Sequence, residues 1–159
     1  DWGRGVWTRD NTWYWGVAQG WQDGRGGCEP GSHRFGLNLG YGFGDTSAAS
    51  ENMAFVDGVA HKLQRVDFGV PEKPAASDTR SVADRYDLLA PWHVTDDEGR
   101  VDLAFTPLLD RVDCINALVV RTDQHQVFGR FDGTVVLDDG TPFHVANLQG
   151  SAEVVHNVY

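Results

Sequence analysis

The 159-residue chain carries 13 basic and 23 acidic side chains, a formal net charge of −10, with 41% hydrophobic residues. That length is the size of one domain, and six tryptophans, four tyrosines and eight phenylalanines can furnish its core. The acidic balance repels phosphate backbones and anionic bilayers, so neither nucleic acid nor a membrane is an expected partner. No run approaches the roughly 18 apolar residues of a bilayer span, and Asp1-Trp2-Gly3-Arg4 lacks a signal pattern, so a soluble, cytoplasmic protein is expected.

Strand signals dominate from the start. Trp13, Trp15, Val17, Gln19 and Trp21 alternate with small or polar residues, and Phe35, Leu37, Leu39, Tyr41 and Phe43 alternate with Gly36, Asn38, Gly40, Gly42 and Gly44. Period two over such lengths means strands, and the Gly/Pro/Asp-rich stretch 23–32 joins the pair as a long hairpin. Asp57-Gly58 predicts a second hairpin with a two-residue turn, setting Val56 opposite Val59 and Ala54 opposite His61. Residues 71–85 show no periodicity and read as a surface loop. A third hairpin turns at Asp96-Asp97-Glu98-Gly99 and should end at Pro107. Residues 114–121 and 126–137 read as further strands, Asp138-Asp139-Gly140-Thr141 as a turn, and 143–148 as a strand. Only 151–156 suggests a short helical turn. Several strands with no helix longer than about 10 residues predict an all-β, antiparallel barrel or sandwich.

Ordered motifs then suggest a family. Asp1-Trp2-x-Arg4-Gly5, Trp13-x-Trp15, Asn38-Leu39-Gly40-x-Gly42, Ser50-Glu51-Asn52 and Asp57-Gly58-x-x-His61-Lys62-Leu63 resemble blocks of the family known as domain of unknown function 2804. So do Asp97-x-Gly99-Arg100-x-Asp102-Leu103-x-Phe105-Thr106-Pro107, Asp110-Arg111, His125-Gln126-x-Phe128-Gly129-x-Phe131-x-Gly133 and Ala152-Glu153-x-Val155-His156-Asn157. Where that family carries a basic residue before its final aromatic one, this chain has Val158. More distantly the sequence is similar to the calycin-like carotenoid hydratase and AttH group. The resemblance implies a lipocalin-like barrel, residues 1–159 forming one such domain and the C-terminal half of a longer protein. The missing N-terminal half is then an expected partner, in keeping with a chain that opens without methionine in a Trp-rich segment. Candidate ligand contacts within these blocks are Trp2, Arg4, Trp13, Trp15, Asn38, Asn52, His61, His125 and His156.

The chemistry-bearing residues are read against simpler roles. The alternating glycines 40, 42 and 44 lack Gly-x-Gly-x-x-Gly spacing and a following helix, so they make room for packed rings or a ligand rather than for a nucleotide, and no cofactor is expected. Six histidines without His-x-x-x-His or Cys-x-x-Cys partners read as structural or surface groups, and no metal site is expected. Cys28 and Cys114 are expected to be reduced and structural. Glu51 is the candidate catalytic carboxylate: between a glycine-rich strand and a hairpin, shielding by Trp13, Trp15 or Trp92 would raise its pKa toward that of a general acid. Its simpler role is to shape the turn with Asn52.

Three readings of function stand together. The domain binds an apolar or mixed small molecule in a barrel mouth or at a junction with another half. Alternatively it is a hydratase- or glycosidase-like enzyme half using Glu51, or a structural scaffold. Whether it is an enzyme is left open by the sequence.

Overall fold

The computed structural model describes residues 8–27, 33–74 and 81–159. These form nine strands and one helical turn: β1 (Asp10–Gln22), β2 (His33–Tyr41), β3 (Met53–Val56), β4 (Val59–Lys62), β5 (Val66–Asp67), α1 (Val82–Arg85), β6 (Trp92–Asp96), β7 (Val101–Ala117), β8 (Val120–Val136) and β9 (Pro142–Val158). All pairings are antiparallel, and the single sheet runs β4-β3-β2-β1-β9-β8-β7-β6-β5. Its two edge strands, β4 and β5, are consecutive and separated only by Leu63, Gln64 and Arg65. Three residues cannot cross the width of a flat nine-stranded sheet at about 4.8 Å per strand, so the sheet must curl until its edges approach, giving a barrel-like half-barrel.

Polar side chains fasten that seam. Arg100 at the foot of β7 donates from Nη1 to the Lys62 carbonyl at 2.7 Å, from Nε to the Val136 carbonyl at 3.0 Å and from Nη2 to Asp138 at 2.7 Å. Buried Asn52 accepts the Gly40 N–H at 2.6 Å and donates to the Gln64 carbonyl at 2.7 Å. The main chain of Leu63 donates back to Asn52.

The inner face is apolar over most of its length. Leu37, Leu39, Val94, Leu103, Phe105, Val127, Phe131 and Val135 point inward and are buried, around Trp92 and Phe68. Period two in the sequence therefore reports burial directly: Phe35, Leu37 and Leu39 are buried, while Asn38 is half-exposed on the other face. Aromatic rings pack in a chain, Phe68 to Trp92 at 6.4 Å, Trp92 to Phe105 at 5.1 Å and Phe105 to Phe131 at 4.6 Å. At Gly129 a Cβ would stand 2.6 Å from the Phe105 ring, so only glycine leaves that ring its place.

Several expectations are met in detail. β1 and β2 form the long hairpin, and Asp57 and Gly58, with φ of 51° and 87°, form a tight turn that sets Val56 opposite Val59 and Ala54 opposite His61. Three others are corrected. Pro107 does not end its strand: β7 runs on to Ala117 through a bulge between Pro107 and Leu109, where the missing N–H is tolerated. The stretch 114–121 is not one strand but the end of β7, a turn at Leu118 and Val119 with Leu118 at φ 44°, and the start of β8. Residues 151–156 are not helical but the middle of β9, and the helical turn lies instead at α1, within the stretch read as a loop. Residues Ser151 to Asn157 are all buried, so β9 lacks the polar alternation that betrays a strand.

Candidate functional site

Antiparallel register puts directly paired residues on one face, so the candidate residues divide between two faces of the sheet. On the outer face one row crosses five strands: Gly40, Trp15, Glu153, Gln126 and Arg111 are successive cross-strand partners. Trp15 Nε1 donates to Asn38 Oδ1 at 3.1 Å, and Asn38 Nδ2 donates to Glu51 Oε2 at 3.1 Å and to its carbonyl at 3.2 Å. Trp13 stacks on Phe43 at 5.0 Å, and the same Phe43 ring occupies the space left by Gly40. Trp13, Trp15, Asn38 and Glu51 thus form one neighbourhood.

Within that row the shielded carboxylate is Glu153 rather than Glu51. Glu51 is exposed, whereas Glu153 is buried between Trp15 and Gln126, whose Nε2 donates to it at 2.5 Å. Burial pushes the Glu153 carboxyl above its ordinary value, against the weaker opposing pulls of Gln126 and the Arg111 guanidinium. Asn52 serves the seam, and His61 stands beside it, 3.4 Å from the Asp138 carboxylate.

On the inner face the far ends of β7, β8 and β9 are polar. His125 Nδ1 lies 2.7 Å from Asp110 Oδ2, and its Nε2 lies 3.3 Å from Asp123 Oδ1. Cys114 is a free thiol whose Sγ donates to that same Asp123 oxygen at 3.0 Å, while Asp123 Oδ2 accepts the N–H of Val82, the first residue of α1, at 2.8 Å. The Asp123 carboxyl is held below its usual range, because these hydrogen bonds and His125 together outweigh desolvation. The same bond pushes the Cys114 thiol up, away from the thiolate a nucleophile would need. His156 Nε2 contacts Asp10 at 2.8 Å on the same face, next to Asp123 in register. Five of the six histidines sit against an aspartate, His33 on Asp57 and His93 on Asp102 included, and His144 meets Thr134 instead. Trp2, Arg4 and Cys28 lie outside the described residues.

Where the apolar core meets this polar end, three tyrosines converge. Tyr14 and Tyr41 stack at 4.6 Å, the Tyr14 and Tyr86 hydroxyls are 2.6 Å apart, and Tyr41 donates to Asp67 at 3.3 Å. With Asp67, Gly69, Val70 and Glu72 they line a cavity of about 290 Å³. Burial drives the Tyr14 and Tyr41 phenols well above the ordinary phenol range, so both hydroxyls stay protonated. Sequence reading passed over these tyrosines, as it did Glu153, Asp110, Asp123 and Cys114 as site residues. Only the alternation that puts Tyr41 on the face of Leu37 and Leu39 hints at one of them.

The fold and these side chains define an antiparallel β half-barrel with a polar end and no helix long and apolar enough to cross a membrane among the described residues. The chain belongs to the family described as Domain of unknown function (DUF2804), whose family model matches residues 1–159. No curated protein and no solved structure matches it.

Proposed function

We propose that this domain binds a small molecule of mixed polarity in the tyrosine-walled cavity. The observation that carries the reading is the convergence of Tyr14, Tyr41 and Tyr86 on one concavity of about 290 Å³, a volume suited to a small ligand. Ring faces supply apolar contact, and phenol oxygens retain acceptor capacity beyond the bonds they already make. The Asp67 carboxylate at the rim favours a neutral or cationic ligand over an anion, while the Glu72 charge is balanced by Arg85 at 2.9 Å.

The test is titration with the neutral dye N-phenyl-1-naphthylamine. Saturable fluorescence enhancement is expected, lost in Val70→Trp protein whose melting curve shows it folded, and weaker for an anionic naphthalene sulfonate analogue. Absence of saturation, or binding unchanged by Val70→Trp, rejects the reading.

Glu153 supports a second reading, an enzyme with a shielded carboxylate as general acid. It has the Trp-flanked, desolvated setting that such a role requires, and Glu51 is tied to the same row through Asn38 and Trp15. Exposed Leu109, Ile115 and Phe128 on the outer face fit a further proposal, contact with an upstream barrel half of a longer protein.

A further inference from the structure

The β7–β8 hairpin brings three different donor types to one point. Cys114 and Asp123 are direct cross-strand partners, and His125 follows Asp123 by two residues on the same face. Cys114 Sγ, an Asp123 carboxylate oxygen and a His125 ring nitrogen all lie within 4.8 Å of one another. Two of these separations, 3.0 Å for sulfur to oxygen and 3.3 Å for nitrogen to oxygen, are close to the donor spacing of about 3.3–3.8 Å around a tetrahedral zinc ion.

Asp110 decides how the imidazole is presented. Its contact with Nδ1 places a proton there in the neutral ring, which leaves the Nε2 lone pair facing the Asp123 carboxylate. Two electron-rich atoms facing each other repel unless a proton or a cation sits between them. A carboxylate on the distal nitrogen of a histidine is also the usual outer partner of a metal-bound imidazole, fixing its orientation and raising its basicity. The other Asp110 oxygen, Oδ1, is buried and takes no hydrogen bond among the described residues, so the charge of that carboxylate is only partly spent.

We propose that Cys114, Asp123 and His125 form a binding site for a divalent borderline transition-metal ion of the zinc class, with Asp110 as the positioning residue for His125. A thiolate and a carboxylate balance the two positive charges, and mixed sulfur, nitrogen and oxygen ligation selects zinc-like ions over magnesium or calcium. Asp123 and His125 are 5% and 3% exposed, whereas Cys114 is exposed, so the ligands are held rigidly on one side and open to solvent on the other. Three protein ligands leave a fourth position for water or another small ligand. The raised Cys114 pKa means that the metal must displace the thiol proton, which it does by direct coordination.

Titration of the full chain with Co²⁺ tests the site. One equivalent is expected to give visible d–d bands of tetrahedral intensity and a near-ultraviolet thiolate-to-cobalt band, both abolished by Zn²⁺. Cys114→Ser should remove the charge-transfer band, and Cys28→Ser should leave it. Asp110→Asn keeps all three ligands and should weaken binding about 10- to 100-fold. No bands at stoichiometric Co²⁺, or a charge-transfer band that survives Cys114→Ser and vanishes in Cys28→Ser, would overturn the proposal and leave a proton-linked hydrogen-bond cluster. Cys114→Ser alters an exposed side chain, and unchanged thermal melting without metal separates lost ligation from lost folding.

Discussion

Strand β8 carries two chemistries on one face. From Val127 through Phe131 to Val135 its inward side chains are apolar and buried, while Asp123 and His125, four and two residues before Val127, are buried almost as fully. The backbone and its pairing are the same along both stretches. At the apolar end, withdrawal from water is itself the stabilising term. At the polar end every buried group needs a partner, and Cys114, the Val82 N–H and Asp110 have been brought there to supply them. One half of the strand holds the fold together, and the other keeps reactive groups out of solvent at a cost in stability.

Substitutions can break or sharpen this contrast. The largest effect is expected for Trp92→Ala, which removes a ring that is 1% exposed and its Nε1 bond to the Leu88 carbonyl. Urea unfolding should show a loss of about 3–5 kcal/mol. A loss under 1 kcal/mol would mean that the apolar half is not the main source of stability. Next comes Asn52→Ala, which leaves the Gly40 N–H and the Gln64 carbonyl without their side-chain partner at the seam. Its expected cost is about 2–3 kcal/mol in the same measurement, since buried groups lose their bonds.

Glu153→Gln should act in the opposite direction. Burial raises the folded-state pKa of Glu153, so the fold favours the protonated carboxyl. That favourable contribution is complete below the unfolded-state value of about 4.3 and is lost as pH rises through the elevated folded value. Glutamine keeps the shape and the acceptor for Gln126. Stability at pH 7 should therefore rise by on the order of 1 kcal/mol, with no gain near pH 4 in paired thermal melts. A loss at pH 7 would show that the Glu153 charge is compensated and that the contrast does not extend to the outer face.

The apolar half was largely legible because its physics is written in alternation. Phe35, Leu37 and Leu39 announce a strand and its buried face, and Asp57-Gly58 announces a turn because few other pairs accept positive φ twice. The polar half hid itself. In Asp123-Gln124-His125-Gln126 both faces are hydrophilic, so period two leaves no trace although alternate residues point in and out. The β7–β8 turn falls in Ala117-Leu118-Val119-Val120, a sequence with no turn former, and the long ladder on either side imposes it. Glu51 drew attention because its neighbours in sequence were suggestive, yet shielding depends on neighbours across strands, and register gave Trp15 to Glu153.

The three-residue bridge from Lys62 to Val66 also bears on how the molecule behaves in a crowded solution. A sheet that ends in unpaired strands offers its free N–H and C=O groups to any passing chain. Here the two terminal strands are only four and two residues long, and they are brought toward each other by Leu63, Gln64 and Arg65. The 17-residue strands that would make the best templates, β7, β8 and β9, sit inside the sheet with neighbours on both sides. Lengthening that bridge with a flexible insert would let the curl relax and bare the two margins. The expected phenotype is intermolecular strand pairing and aggregation at high concentration, while the aromatic core itself stays intact.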